Sequence, residues 1–287
     1  MNTTTLIRQY YILTKPGIIY GNALTVIAGF VFASRGYIDY ELLFVTLLGL
    51  SLIVASGCVY NNYIDRDIDA RMERTKKRPL VTGTITSEST LIFGAILLIL
   101  GLFLLYFFTN YTTFLASIIG FVVYVFLYSL WLKRTSTHGT IIGSISGAMP
   151  ILVGYLSVRG EIDIAAIILF CILAFWQMTH SFAIAIYRLH DYKNARIAVL
   201  PVKKGIKNTK IQMLIYTGLF GVATLLLPIT GYTGWVYFFV MAISGCSWLL
   251  YSIKGFYVDS QEEVTWAKKM FLFSIGVLVT FCVVLIV

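Results

Sequence analysis

Residues 42–69 read LLFVTLLGLSLIVASGCVYNNYIDRDID. Up to residue 60 the stretch carries no charged side chain and is long enough, at 1.5 Å per residue, to cross a bilayer as a helix. It then turns polar with no Gly or Pro to stop it, and Asn61, Asp65 and Asp69 follow at i, i+4 and i+8. A helix that continues out of the membrane puts these three on one face, with Asp67 pointing away. Three oxygen-bearing side chains in one stripe with no Lys among them repel one another unless a cation joins them. Hard oxygen ligands suit Mg²⁺, which is usually held by one or two carboxylates plus substrate phosphates. At the mouth of an apolar bundle such a stripe points to function rather than to a solvated helix end.

The rest of the chain repeats the apolar half of this pattern. Runs long enough to span are expected at about 17–35, 42–60, 90–108, 111–132, 140–158, 163–187, 211–230, 233–252 and 270–287. They are too long for strands and lack two-residue alternation. Of the 287 residues 59% are hydrophobic and only 12% charged, with a mean hydropathy of +0.85. A soluble domain carries about 25% charged residues, so disorder, a coiled coil and an ordinary water-soluble enzyme are excluded. The expected fold is all-α: a polytopic membrane bundle of nine transmembrane helices, forming a single domain over 1–287.

The charge of +9 is topological rather than a sign of nucleic-acid binding. All but Arg35 and Arg159 of the 22 Lys and Arg residues fall in the N-terminal segment, 61–89, 133–139, 188–210 and 253–269. By the positive-inside bias these loops and the N-terminus are cytoplasmic, and nine spans leave the C-terminus outside. The expected location is a membrane, with lipid as a constant partner and no nucleic acid. No removable signal peptide is expected, because no small-residue cleavage site follows the first apolar run. Cys58, Cys171, Cys246 and Cys282 lie in apolar runs with no CxxC, so neither a disulfide framework nor a zinc site is expected.

Long loops in compact proteins tend to be functional, and the two long ones are 61–89 and 188–210. After the acidic stripe come Arg71, Arg74, Lys76, Lys77 and Arg78. Metal-holding acids with cations beside them suit a polyanion such as a diphosphate, Arg by bidentate contact and Lys as a point charge. No GxxxxGK[ST] is present, so this is not a P-loop. In the second loop Asp191 offers another carboxylate, and Arg188 and Lys193 are placed to meet phosphate. A faint repeat links the loops: Asp69, Pro79 and Gly83 share their spacing with Asp191, Pro201 and Gly205. His180 lies within an apolar run, either hydrogen-bonded to a neighbouring helix or facing a haem as iron ligand or propionate contact. Lys15, before Pro16-Gly17, either snorkels or faces the site. Gly143 and Gly147 fit close helix packing.

NNYIDRDIDARMERTKKRPLVTG at 61–83 resembles the first Asp-rich motif, NxxxDxxxD, of the UbiA-type intramembrane prenyltransferases. TKPGIIYGN (14–22), SGCVYNNYIDRDID (56–69), YSLWLKRTSTHGTIIGSISGAMP (128–150), WQMTHSFAIAIYRLHDYKNA (176–195) and VLPVKKG (199–205) extend the resemblance, in order, to the haem-modifying branch of that family. The resemblance implies a nine-helix bundle with a cytoplasm-facing site. It also implies transfer of farnesyl from farnesyl diphosphate to a vinyl group of haem B, giving haem O. Asn61, Asp65, Asp69 and Asp191 match positions that carry Mg²⁺ and diphosphate. Lys15, Arg74, Arg78, Lys133 and Arg134 match basic positions near the family's site, and His180 matches its membrane histidine. Asp191 has Tyr187 four before and Ala195 four after, where the wider superfamily often pairs two acids, and Thr179 stands where the haem branch more often has Pro.

The chemistry asked of such a site is modest. A metal and cations neutralise a leaving diphosphate and lower the barrier to allylic ionisation. The vinyl carbon attacks, and water captures the resulting cation. Tyr60, Tyr63, Tyr124 and Tyr128 all offer π-faces to a cation, and sequence does not choose among them. Transfer to an aromatic quinone precursor, a haem-binding transport protein and a structural oxidase subunit are the competing readings. A haem A synthase or terminal oxidase assembly is the partner the haem branch implies.

Overall fold

The computed structural model describes residues 3–287. Its helices are α1 (Thr3–Leu13), α2 (Pro16–Ser34), α3 (Tyr40–Asp69), α4 (Ser87–Phe108), α5 (Tyr111–Thr135), α6 (Gly139–Arg159), α7 (Ile164–Tyr187), α8 (Leu189–Asn194), α9 (Leu200–Ile229), α10 (Trp235–Lys254) and α11 (Glu263–Leu285). Nine of them among the described residues, all except α1 and α8, are long and apolar enough to cross a membrane. No strand occurs among the described residues.

Local chemistry explains where the spans begin. Asp39, Thr86, Asn110 and Asp163 are N-caps whose side chains accept from Leu42, Ser89, Thr113 and Ala166 N–H at 2.9–3.2 Å. Gly160 ends α6 in the left-handed region at φ 72°. The long run of apolar side chains left exposed around the bundle, such as Ile99, Phe107, Val222 and Leu250 at more than 60% exposure, is a liability in water and a lipid contact in a bilayer.

Inside the bundle, glycines let helices meet backbone to backbone. A Cβ added at Gly29 of α2 would stand 2.2 Å from the Ile151 carbonyl oxygen of α6, and one at Gly154 of α6 would stand 2.2 Å from that of Val26. Gly49 of α3 and Gly101 of α4 form a second reciprocal crossing. The expected packing glycines Gly143 and Gly147 instead face side chains, Tyr128 and Gln177, at 3.0–3.2 Å.

The apolar run ending at residue 60 continues, as expected, as one helix to Asp69, so the acidic stripe is helical. Two elements differ from the sequence reading. The seventh span begins at Leu200 rather than 211, as a short turn opened by Pro201 and broken at Gly205 (φ 82°, ψ 165°). Within α5, residues Val123–Leu132 form a π-helix. Such i→i+5 stretches are rare and gather at functional sites.

Candidate active site

α3 lifts Asn61, Asp65 and Asp69 out of the apolar layer on one face, and all three are buried. Each meets a cation from a different element. Lys15 Nζ donates to Asn61 Oδ1, and Lys133 Nζ pairs with Asp65 Oδ2. Arg78 Nη1 donates to Asp69 Oδ2 at 2.5 Å. Ser129 accepts from Asn61 Nδ2 at 2.9 Å, which leaves the amide oxygen facing Lys15. Asn62, next along α3, serves packing instead. Its Nδ2 donates to the carbonyls of Leu13 and Cys58 at 2.8 and 2.9 Å and ties α1 to α3.

The backbone works to deliver these cations. Lys15 adopts the left-handed region (φ 52°, ψ 67°) between α1 and α2, a conformation that costs an L-residue about 1–2 kcal/mol. Held there against Asn61 it is half-buried, and that desolvation, with Arg78 nearby, pulls its ammonium down to about 8. After α3 the chain curls over its own end: Thr75 Oγ1 donates to the Asp69 carbonyl at 2.9 Å and brings Arg78 back onto the Asp69 side chain. On α5 the π-helical spacing puts Tyr124, Tyr128 and Lys133 on the same wall. Gly57 and Gly143 make room for the two rings, with a Cβ on either reaching ring carbons at 3.0–3.2 Å.

These groups close one end of a cavity of about 680 Å³, within the 300–1,000 Å³ usual for ligand pockets. Lys15, Asn61, Asp65, Asp69, Arg74, Arg78 and Lys133 line its polar end. It runs down α3 to Leu50, roughly 28 Å of helix. Gly17, Ile18 and Gly21 of α2 both line the cavity and are exposed, so it opens to the outside of the bundle along α2. The opposite wall is aromatic and polar: Trp176, Gln177 and His180 of α7 with Phe271 of α11. His180 stacks on Trp176 at 4.6 Å between centroids, and its Nδ1 shares a 2.7 Å hydrogen bond with Ser274 Oγ. That fixes the ring and leaves Nε2 as its remaining polar atom.

The donor set fits Mg²⁺. Asp65 Oδ1 is buried with no hydrogen-bond partner among the described residues, and Asn61 and Asp69 add oxygens on the same helix face. An orphaned carboxylate oxygen is costly unless a cation or donor uses it.

Other expected site residues lie elsewhere. Arg134 turns away from the cavity, donating to Asp67 at 2.6 and 2.8 Å and to the Ile64 carbonyl at 2.5 Å, so it braces the outer face of α3. Asp191 is buried, but its carboxylate accepts from Glu73 N–H at 3.3 Å and does not line the cavity. No cluster of three His, Cys, Asp or Glu at metal spacing occurs among the described residues. Beneath that contact Ile68, Met72, Ala195 and Ile197 form a small apolar core joining the two long loops. Arg188 packs over Tyr187, and Lys193 is exposed on α8. Of the four candidate tyrosines, Tyr124 and Tyr128 line the cavity. Tyr60 packs on Phe121 and Gly94, and Tyr63 stacks under Arg66. Sequence reasoning misses Ser129, Gln177, Tyr192 and Phe271. The one signal for Ser129 and Gln177 is a polar residue inside an apolar run.

A profile of the UbiA prenyltransferase family matches residues 22–275. The chain belongs to the UbiA prenyltransferase family. This UbiA-family chain is 52% identical over 270 residues to the protoheme IX farnesyltransferase of Photorhabdus laumondii, covering 94% of this chain and 91% of that protein. It is 51% identical, with the same coverage, to the protein of that name from Yersinia pseudotuberculosis. In fold it is similar to a structure described for digeranylgeranylglyceryl phosphate synthase (TM-score 0.81, 23% identity, 98% of each chain). It is also similar to a UbiA homolog from Archaeoglobus fulgidus bound to DMAPP and Mg²⁺ (TM-score 0.68, 16% identity, 94% of this chain and 99% of that one). This UbiA-family chain is therefore a multi-pass membrane prenyltransferase.

Proposed function

We propose that this chain transfers the farnesyl group of farnesyl diphosphate to a vinyl group of haem B, with addition of water, giving haem O and diphosphate. The observation that carries the reading is the cavity itself. One end sets buried acids among more exposed cations, an arrangement suited to a metal diphosphate. Its length is apolar, and one wall presents His180 and aromatic rings to a flat acceptor. Half identity along nearly the whole chain to proteins named for this reaction supports the choice of donor and acceptor.

Asn61, Asp65 and Asp69 would hold Mg²⁺, which when bound supplies charge neutralisation of the departing diphosphate. Lys15, Arg74, Arg78 and Lys133 take phosphate oxygens and hold the leaving group in line with the apolar slot. The allylic C–O bond breaks with its electron pair leaving on the diphosphate, and Tyr124 and Tyr128 present ring faces to the cation left behind. The vinyl carbon then attacks, water adds at the neighbouring carbon, and a proton is released. Asp191, through Glu73, positions the loop that carries Arg74 and Arg78. The site faces the cytoplasm from a bacterial inner membrane, and the product passes to a haem A synthase or an oxidase assembly.

The test is purified protein in lipid with haem B, farnesyl diphosphate and Mg²⁺, products read by mass spectrometry, with Asp65→Asn and EDTA samples alongside. A hydroxyfarnesyl haem that disappears in both controls supports the reading. Intact haem with prenyl transfer only to added aromatic acids replaces it with a quinone-precursor acceptor.

A further inference from the structure

α7 and α11 form the acceptor wall of the cavity, and the seam between them ends in an unusual charge arrangement. Arg188 packs its guanidinium 4.3 Å from the Tyr187 ring centroid, and Lys268 of α11 brings its ammonium to 5.8 Å from the same ring. Two like charges thus converge on one phenol ring. Neither has a carboxylate partner among the described residues, although five other Lys and Arg side chains do. Two cations gathered at one ring with no counter-charge favour an anion beside them.

Their position in the helices ties them to the cavity. Ile184, four residues before Arg188, and Phe271, three residues after Lys268, both line it. Lys268 therefore stands one turn above the lining on the same face of α11, and Arg188, the C-cap of α7, follows directly on the end of that helix. His180 lies two turns below Arg188, roughly 12 Å along the axis. We infer that Arg188 and Lys268, with Tyr187 beside them, form an anion subsite that takes the carboxylates of the acceptor and fixes which edge of it enters the cavity. The inference rests on haem B being the acceptor. Its two propionates at one edge would meet the two cations and leave the opposite edge of the ring to point down the cavity.

The experiment is a Soret titration of the full chain in lipid nanodiscs with ferric haem B and with its dimethyl ester, each against empty nanodiscs. The readout is the ratio of the two affinities, in which lipid partitioning cancels between variants. The intact chain should favour the free acid about tenfold. Arg188→Gln/Lys268→Gln should bring the ratio to about one, and Lys268→Gln alone, at an exposed position, to an intermediate value. Lys203→Gln/Lys204→Gln, which removes the same charge from exposed positions on α9, should leave the ratio as it was. Haem that binds without preference in the intact chain, or keeps its preference in the double variant, overturns the subsite while the acceptor stands. Loss of preference in the α9 control overturns it in favour of a general field. No Soret change in any form overturns the haem acceptor itself, and the subsite with it.

Discussion

Asp65 concentrates what the site demands of one side chain: one oxygen is paired with Lys133 and the other is buried without a partner. Replacing it with Asn keeps the shape and removes the charge, so turnover should fall by about two orders of magnitude or more, with the helix content unchanged by circular dichroism. Lys15 gives a pH signature. Its ammonium is pulled from 10.5 to about 8, first by burial and then by Arg78. The charged form, dominant at pH 7, is the one a diphosphate meets, so KM for the prenyl donor should climb by up to about tenfold per pH unit above 8. Lys15→Arg, always charged, should flatten that limb, and a limb of unchanged slope in the variant would remove Lys15 from donor binding. At this scale the sequence was informative where residues sit on regular helix. The i, i+4, i+8 spacing placed Asn61, Asp65 and Asp69 together because α3 runs unbroken through them. It could not separate Lys133 from Arg134, adjacent residues that point to opposite sides of α3, one to Asp65 and the other to Asp67.

Among the elements, α2 does two jobs that can be tested apart. Its crossing with α6 depends on Gly29 and Gly154, where an added methyl would stand 2.2 Å from a carbonyl oxygen of the other helix. Gly154→Ala should cost about 1–3 kcal/mol, seen as a lower thermal inactivation midpoint in the same lipid. Adding Gly29→Ala should cost less than its single effect, because the helices need separate only once. Gly21, in contrast, has nothing within 4 Å of an added Cβ and borders the opening of the cavity. Gly21→Trp should therefore keep the midpoint yet slow turnover with farnesyl diphosphate. Equal turnover would mean that the prenyl chain does not pass along α2. Apolar runs located the spans well, since lipid requires both length and hydropathy. They did not show where helices continue past the apolar layer, as α3 does to Asp69 and α9 does from Leu200. Nor did they show α1, eleven residues that pack Leu13 against Val59 and Ile85 at the end of the bundle.

For the whole molecule, the distribution of Lys and Arg predicts an orientation that can be tested. In a cysteine-free chain, Gly231→Cys should react with impermeant thiol reagent from outside intact cells, whereas Lys204→Cys should not. The arrangement of the two long loops was legible as proximity, through the shared Asp, Pro and Gly spacing. Its consequence was not, because Asp191 bonds a backbone N–H that has no sequence signature. The π-helix adds a constraint of another kind, one of counting. Phe126 and Leu127 are exposed on α5 and line no part of the cavity. Removing either while the i→i+5 stretch persists would turn everything after it by most of the roughly 100° that one helical residue spans. Lys133 would swing away from Asp65 though no residue of the site had changed. A family whose chemistry depends on phase as well as identity should tolerate many substitutions on the lipid face of this helix and hardly any single-residue deletion.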